Sequence, residues 1–207
     1  MKVFLFLACA TALAAQQPQG INFYSIGKEI ALGDQLAAAF QRNTAVASDA
    51  RVEKLGAALV PQSSPYQYRF RVFDGAGSEP VTFAGGWVFV PRPLLARDDR
   101  QLAAILAQAI AHVELRHATR LATKGELSQI GRTVAETAVP EGQRPPAVPD
   151  TTLRLQRAFE LEADARAVRL LRDAGYDPAG LVEYLRTLPD SQARIEAAVK
   201  AIRDLPQ

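Results

Sequence analysis

The spacing of hydrophobic residues predicts a mostly helical chain that contains a short β-region. Apolar residues recur every three or four positions in Tyr24–Phe40 and in Asp49–Leu59, which is typical of amphipathic helices. The predicted buried faces of these two helices carry Leu32, Leu36, Phe40, Val52, Leu55 and Leu59. Over Tyr66–Phe73, apolar and polar residues alternate strictly, which predicts a half-buried strand.

The rest of the pattern adds another strand and four further helices. Val81–Val90 predicts a strand that is bent or bulged at Gly85 and Gly86. The acidic residues Asp98 and Asp99 mark the start of a long helix that is expected to run to about Ala122. The remaining elements are a Pro-rich loop over 138–150, a helix from Thr151 or Thr152 to Ala174 before Gly175, a short helix after Asp177-Pro178 and a last helix over Asp190–Arg203. Together they predict an α+β fold, predominantly helical, with a small β-sheet ahead of the long helix.

The first residues have the pattern of an export signal. Lys2 precedes an apolar run over Val3–Ala10, and Ala12-Leu13-Ala14 has the small-x-small form of a cleavage site. We therefore expect a signal peptide over residues 1–15, removed near Ala14–Ala15, and one domain over residues 16–207. Export to the periplasm or the extracellular space follows, and association with the outer membrane stays open.

Composition and charge narrow the classes of function. The only cysteine, Cys9, lies in the expected signal peptide, so the mature chain has neither a disulfide framework nor a thiol nucleophile. The formal net charge of +2 does not indicate the positively charged surface that nucleic-acid binding requires. No later segment is apolar over the length that a membrane-spanning helix requires. We therefore expect no nucleic-acid partner and no transmembrane span in the mature chain.

The long predicted helix contains a degenerate form of a zinc-protease motif. In H-E-x-x-H, two histidines on one helical face bind the metal and the glutamate acts as general base. Here the five positions read Q-A-I-A-H, from Gln108 to His112. Taken alone, an Ala-rich helix with one such histidine is more often part of a core than of a site. His117 is five positions further along, about 140° around a continuous helix, so we do not expect it to share a metal ion with His112.

Several segments together resemble the HtpX and CAAX-prenyl-protease family of metallopeptidases. Asp98–His117 is similar to the family's zinc helix, and Phe83–Val90 is similar to the strand that precedes that helix. Glu160–Asp164, E-L-E-A-D, resembles the family's E-x-E-A-D, and Ala174–Pro178 resembles its A-G-Y-D-P. The chain looks most like the small exported branch that is linked to outer-membrane quality control. The resemblance implies a zincin-like metallopeptidase domain of the gluzincin type.

The resemblance also implies a role for individual positions. Gln108 occupies the first zinc-ligand position and Ala109 the position of the general base, whereas His112 matches the second ligand. Glu160 matches the third ligand, and Asp164 matches the carboxylate that supports the ligands. We therefore expect Gln108, His112 and Glu160 to converge, with His112 hydrogen-bonded to Glu160 or Asp164.

Two further segments bear on function through the same resemblance. Gly85, Gly86 and Trp87 are expected at the strand edge where proteases of this kind hold substrate as an added strand, although Trp87 is equally well interpreted as a core aromatic residue. Near the C-terminus, Leu188 stands where the exported branch carries a histidine linked to regulation of the metal site.

These replacements predict a pseudoenzyme. A glutamine amide is a much poorer zinc ligand than imidazole, and loss of the general base costs a further ~10²–10⁴-fold in rate. We therefore expect no catalytic residue and no cofactor, in a protein that binds polypeptide or an envelope protein partner. Two alternatives stay open: a zinc-dependent metalloendopeptidase that uses Gln108, His112 and Glu160, and a structural remnant of the fold without a functional cleft.

Overall fold

The computed structural model describes residues 21–126 and 151–206, without the side chains of residues 151–153. The expected signal peptide over 1–15 and the Pro-rich loop over 138–150 lie outside the described residues. The elements in chain order are α1 (Ile26–Asn43), β1 (Val46–Ala47), α2 (Ala50–Leu59), β2 (Arg69–Phe73), β3 (Val81–Phe83), β4 (Trp87–Pro91), a 3-10 helix (Arg92–Ala96), α3 (Asp99–Glu114), α4 (described over 117–126), α5 (Thr151–Asp173), α6 (Ala179–Leu185) and α7 (Gln192–Arg203). The fold is α+β and predominantly helical, as predicted. In the described ranges, none of the helices has the length and apolarity needed to cross a membrane.

The four strands form one mixed sheet in the order β1-β2-β4-β3. The pairs β1–β2 and β3–β4 are antiparallel, whereas β2 and β4 run parallel, with Phe70 opposite Val88 and Val72 opposite Val90. β3 therefore lies at one edge of the sheet. This position matters for function because an edge strand has one side on which another chain can pair.

The two faces of the sheet are covered by different helices. Alternate residues such as Phe70, Val72, Val88 and Val90 point into the main core, which α2, α3, α5, α6 and α7 share. On the opposite face, Phe73 and Phe89 form a smaller cluster with Ala37 of α1. The alternation predicted for β2 from its sequence is confirmed, although the strand begins at Arg69 rather than at Tyr66.

The predicted buried face of α1 is correct at Phe40, which packs against Phe73 and Phe89, but wrong at Leu36. The helix buries Glu29, Gly33 and Ala37, while Leu36 is 43% exposed. Small residues face the sheet because α1 lies very close to the turn after β3: a Cβ on Gly33 would come within 1.7 Å of the Ala84 carbonyl oxygen. Apolar periodicity identified the helix but missed this face, since close backbone approach selects small residues over large apolar ones.

Val81–Val90 is not one bent strand but a hairpin. β3 and β4 are antiparallel and are joined by a turn at Gly85 and Gly86, whose φ angles are +81° and +104°. These angles strongly favour glycine, which allows the chain to reverse where the sequence suggested only a bulge. The edge of the sheet therefore lies at Val81–Phe83 and not at Gly85–Trp87.

The long helix expected from Asp98 to about Ala122 is broken in the middle. α3 ends at Glu114, a turn occupies Leu115 and Arg116, and α4 follows from residue 117. Arg116 has a φ of +59°, which interrupts the helical path and is uncommon for a residue other than glycine. The break changes the direction of every side chain that follows it.

Candidate functional site

α3 and α5 pack along their lengths and bring together the three residues expected to converge. The Gln108 amide nitrogen lies 3.0 Å from Glu160 Oε2 and 3.4 Å from His112 Nε2, and His112 Nε2 lies 3.5 Å from the same Glu160 oxygen. Because Gln108 and His112 are four residues apart on α3, they occupy one helical face opposite Glu160. Ala109 is buried beside them and lines a recess with Glu79, Pro80 and Thr82.

His117 lies beside this group, contrary to the expectation from a continuous helix. The break at Arg116 turns α4 so that His117 Nδ1 is 3.0 Å from His112 Nδ1. On its other side, His117 Nε2 is 3.3 Å from Glu162, and its ring stacks on Phe159 at a centroid distance of 4.3 Å. Burial, with a further contribution from the charge of His112, lowers the pKa of His117 to about 4, so this imidazole is neutral near neutral pH.

Asp164 is paired with a residue that the sequence analysis did not consider. Arg194 of α7 contacts both carboxylate oxygens of Asp164, with Nε–Oδ2 and Nη2–Oδ1 distances of 2.7 and 2.9 Å. The same guanidinium places Nη1 3.2 Å from Glu160 Oε2. Burial opposes the charge of Arg194, but hydrogen bonding and attraction to Asp164 and Glu160 outweigh it and raise the pKa of Arg194. His112 is therefore close to Glu160, while Asp164 is bound to Arg194.

The Glu160 carboxylate is held in its charged form. Burial raises its pKa, but the hydrogen bond and charge of His112 and the charge of Arg194 have the larger combined effect, so the pKa lies below its ordinary value. Glu160 Oε2 therefore combines a negative charge with three nearby nitrogen atoms, which belong to Gln108, His112 and Arg194.

A second buried carboxylate lines the same cleft and was not found from the sequence. Glu29 of α1 is 1% exposed; it accepts hydrogen bonds from the Tyr66 hydroxyl at 2.5 Å, from Arg116 Nε at 2.9 Å and from the Thr119 hydroxyl. Arg116 also donates to the Tyr24 carbonyl oxygen. The backbone turn that separates α3 from α4 is thus fixed to the N-terminal helix. The sequence feature that could have indicated this carboxylate is a glutamate at a position of α1 that faces the core.

An open cleft of about 200 Å³ lies between the β3–β4 hairpin and the helices α3 to α5. Thr82 of the edge strand lines it together with His112, His117, Phe159 and Glu160. The cleft therefore joins the residues expected from the zinc motif to β3, the edge strand of the sheet in the described part of the chain.

Of the three residues expected at this edge, only Gly85 lines the cleft. Gly86 packs against the backbone of Gln67, and Trp87 lies on the inner strand β4. The Trp87 indole nitrogen donates to Asp34 of α1 at 2.8 Å, and the ring stacks on Phe89. Trp87 thus packs with the aromatic cluster beneath α1.

A comparison with protein families identifies the domain. The profile of peptidase family M48 matches residues 49–202, which is most of the chain. The chain belongs to peptidase family M48. It is therefore a protein of metallopeptidase fold, as the resemblance implied. No curated protein matches the chain.

Members of family M48 usually depend on zinc, so a zinc centre is the reference for the donor atoms of this site. Neighbouring donors on a tetrahedral zinc ion lie roughly 3.3–3.6 Å apart, because the metal–donor bonds are about 2.0–2.2 Å. The terminal atoms of Gln108, His112 and Glu160 are 3.0–3.5 Å apart, which is close to that spacing. The distances between the donor atoms of this M48 site are therefore close to those of a metal site.

The chemistry of the donors does not fit a catalytic zinc ion. Gln108 presents an amide nitrogen, which has no lone pair available to a metal, and turning the amide would direct its oxygen at the Glu160 carboxylate. One imidazole, one carboxylate and one neutral amide differ from the ligand sets of known catalytic zinc sites. Within residues 21–126 and 151–206, no group of three or more His, Cys, Asp or Glu side chains is arranged to hold a metal ion.

Proposed function

We propose that this chain is a non-catalytic member of peptidase family M48 that binds an extended polypeptide or an envelope protein partner in its cleft. The observation that carries the proposal is the Gln108 amide, which donates to the Glu160 carboxylate where a family ligand would face a metal ion. Ala109, in the general-base position, has no group that could activate water. These two replacements leave the cleft without the two groups on which hydrolysis depends.

The geometry supports binding by strand addition. β3 is an edge strand, and Thr82 points from it into the cleft, whereas Phe83 packs into the aromatic cluster on the other face of the sheet. A polypeptide that pairs with β3 gains main-chain hydrogen bonds and places alternate side chains in the cleft. Phe159, Val113 and Leu121 line that cleft and favour apolar side chains at those positions.

The pattern of residues 1–15 supports export, with a mature protein that acts in the periplasm or outside the cell. The resemblance to the exported branch of the family supports a role linked to outer-membrane quality control. Under this proposal, unfolded or partly folded envelope proteins are the partners, and the protein binds them without cleavage.

Binding of a fluorescein-labelled casein, a polypeptide without a fixed fold, tests the proposal. The parent should bind casein saturably in anisotropy titrations and leave it uncleaved. Thr82→Arg places a long side chain in the cleft, so it should weaken binding at least tenfold while changing the unfolding free energy by less than about 0.5 kcal/mol. Ser63→Arg, at an exposed position away from the cleft lining, is the matched control and should bind like the parent. Absence of saturable binding by a folded parent would favour the fold-remnant interpretation.

The zinc endopeptidase is the second candidate, and the donor-like separations of Gln108, His112 and Glu160 favour it. It predicts about one tightly bound zinc ion per chain. Metal analysis of the purified protein after dialysis against a mild chelator separates the two candidates. Zinc at full occupancy, together with casein cleavage that stops when the metal is removed, would replace the non-catalytic proposal.

A further inference from the structure

We propose that the recess beside Ala109 binds a basic side chain, lysine or arginine, of the polypeptide that pairs with β3. The inference rests on the proposed binding function and adds to it the chemical class of one bound side chain. The recess has a volume of about 240 Å³ and shares Thr82, His112 and Glu160 with the cleft. A polypeptide in the cleft therefore lies beside the opening of the recess.

The recess and the cleft lie at opposite ends of the edge strand. Pro80, just before β3, lines the recess, whereas Ala84 and Gly85, just after it, line the cleft. Thr82, in the middle of the strand, lines both. Every second side chain of an added strand points to the same face, next to the side chains of the strand with which it pairs. A polypeptide that places one side chain in the cleft therefore directs the side chain two residues away at the recess.

Three carboxylates at the recess share one guanidinium. Arg194 contacts Asp164 at 2.7 and 2.9 Å and Glu160 at 3.2 Å. The same guanidinium lies 3.6 Å from Glu79, whose side chain is 49% exposed. Three negative charges and one positive charge leave a net charge of −2, and a proton on His112 would leave −1. The potential of the recess thus favours a cation, whatever the protonation of His112.

A buried oxygen in the wall of the recess lacks a hydrogen-bond donor. Gln108 is 3% exposed, and the contact of its amide nitrogen with the Glu160 carboxylate determines which end of the amide is the oxygen. Within residues 21–126 and 151–206, that oxygen accepts no hydrogen bond. In the same ranges, no side-chain oxygen is both sealed from solvent and without a partner, so this one reaches the recess that Gln108 lines. It is therefore an acceptor available to a donor on the bound polypeptide.

A basic side chain meets both requirements of the recess. A lysine ammonium has three N–H donors and an arginine guanidinium has five, for the Gln108 oxygen and the carboxylates of Glu79 and Glu160. Ala109 contributes only a methyl group, so the recess is open at the position where the family carries a glutamate. An acidic side chain would be repelled by the carboxylates, and an apolar one would leave the Gln108 oxygen without a donor.

Three fluorescein-labelled peptides that differ at two positions test the inference. In a threonine-rich peptide, a central leucine provides the apolar side chain for the cleft. Lysine stands two residues before and two residues after it, so a lysine faces the recess in either strand direction. The second peptide has norleucine at both positions, and the third has glutamate. In anisotropy titrations with a mild chelator present, the lysine peptide should bind about tenfold more tightly than the norleucine peptide, and the glutamate peptide should bind most weakly.

Two variants locate the preference in the recess. Glu79→Gln removes one carboxylate, so the ratio of lysine-peptide to norleucine-peptide affinity should fall about threefold or more, with the norleucine peptide unaffected. Glu196→Gln, at an exposed position of α7 outside the recess lining, is the matched control and should leave the ratio unchanged. A lysine preference that is the same in both variants would place the basic side chain elsewhere and overturn the inference.

The casein titration separates this inference from the proposed function. A protein that binds casein but binds the lysine peptide no better than the norleucine peptide, or binds neither peptide, would overturn the basic-side-chain inference alone. A folded protein that binds neither casein nor any of the peptides would refute the proposed function itself.

Discussion

Two carboxylates line the same cleft but differ in how far the fold encloses them. Glu29 is 1% exposed and has a charged partner, Arg116, in addition to the Tyr66 and Thr119 hydroxyls. Glu160 is 33% exposed; it is contacted by the neutral amide of Gln108 at 3.0 Å and by the charged Nη1 of Arg194 at 3.2 Å. The first carboxylate is enclosed by the fold, whereas the second remains open to anything that enters the cleft. Glu29 therefore stabilises the fold, whereas a ligand in the cleft can compete for the hydrogen bonds of Glu160.

The enclosed carboxylate also determines the geometry of the open one. Arg116 occupies the turn between α3 and α4, and its bond to Glu29 fixes that turn against α1. The turn directs His117 at His112, which in turn faces Glu160. The buried pair of Glu29 and Arg116 thus fixes the backbone turn on which the surroundings of Glu160 depend.

Removing the charged partner of Glu29 should have the largest effect on stability. Arg116→Met leaves a buried carboxylate without its counter-ion, which costs about 3–5 kcal/mol in unfolding free energy. Urea denaturation measures the loss. Arg186→Met, at the exposed C-cap position after α6, is the control and should lie within about 0.5 kcal/mol of the parent. If Arg116→Met were no more destabilising than Gln108→Met, the contrast between the surroundings of Glu29 and those of Glu160 would be wrong.

We call Gln108, His112 and Glu160 the open cluster, and Glu29 with Tyr66, Arg116 and Thr119 the enclosed cluster. Restoring the family's ligands should convert the open cluster into a metal site. Gln108→His with Ala109→Glu supplies a third ligand and a base around His112 and Glu160, whose positions the fold already provides. The double variant should bind about one zinc ion per chain, and zinc at one hundred times its Kd should add about 2.7 kcal/mol to stability. Without zinc, this variant should be less stable than the parent, because the amide donors of Gln108 are gone.

Zinc analysis after dialysis against a mild chelator and thermal denaturation with and without zinc measure both effects. Gln108→Met is the control, since it also loses the amide but gains no ligand. A double variant that folds and retains no zinc would mean that the former metal site has closed, and the chain would then be better described as a fold remnant.

The open cluster was largely predictable, because two of its residues lie on one helix and the family resemblance named the third. A four-residue spacing places Gln108 and His112 on one face of any α-helix, and the family resemblance supplied Glu160 on the partner helix. Only the proximity of Gln108 and His112 is local; Glu160, 52 residues from Gln108, is brought to them by the packing of α5 on α3. The contact between His112 and His117 was not predicted, since His117 reaches His112 only through the break at Arg116.

The enclosed cluster was not predictable because its partners are distant in sequence. The break at Arg116 depends on Glu29, which lies 87 residues earlier in the chain. The buried face of α1 likewise depends on how closely the helix approaches Ala84, which a count of apolar residues does not reveal. Long-range contacts of this kind decide side-chain direction, whereas helical periodicity decides only that a helix forms.

The smallest expected effect is at Trp87, which lies outside both clusters. Trp87→Phe removes a hydrogen bond to Asp34, whose side chain is about half exposed, and retains an aromatic ring against Phe89; the cost should be about 0.5–1.5 kcal/mol. Casein binding should not change, because Trp87 is on the inner strand and faces α1, whereas Thr82 faces the cleft. Anisotropy titration of Trp87→Phe beside Thr82→Arg checks this. If Trp87→Phe weakened casein binding and Thr82→Arg did not, the polypeptide would bind at the Gly85–Trp87 segment instead. The cleft between Glu29 and Glu160 would then have a structural role only.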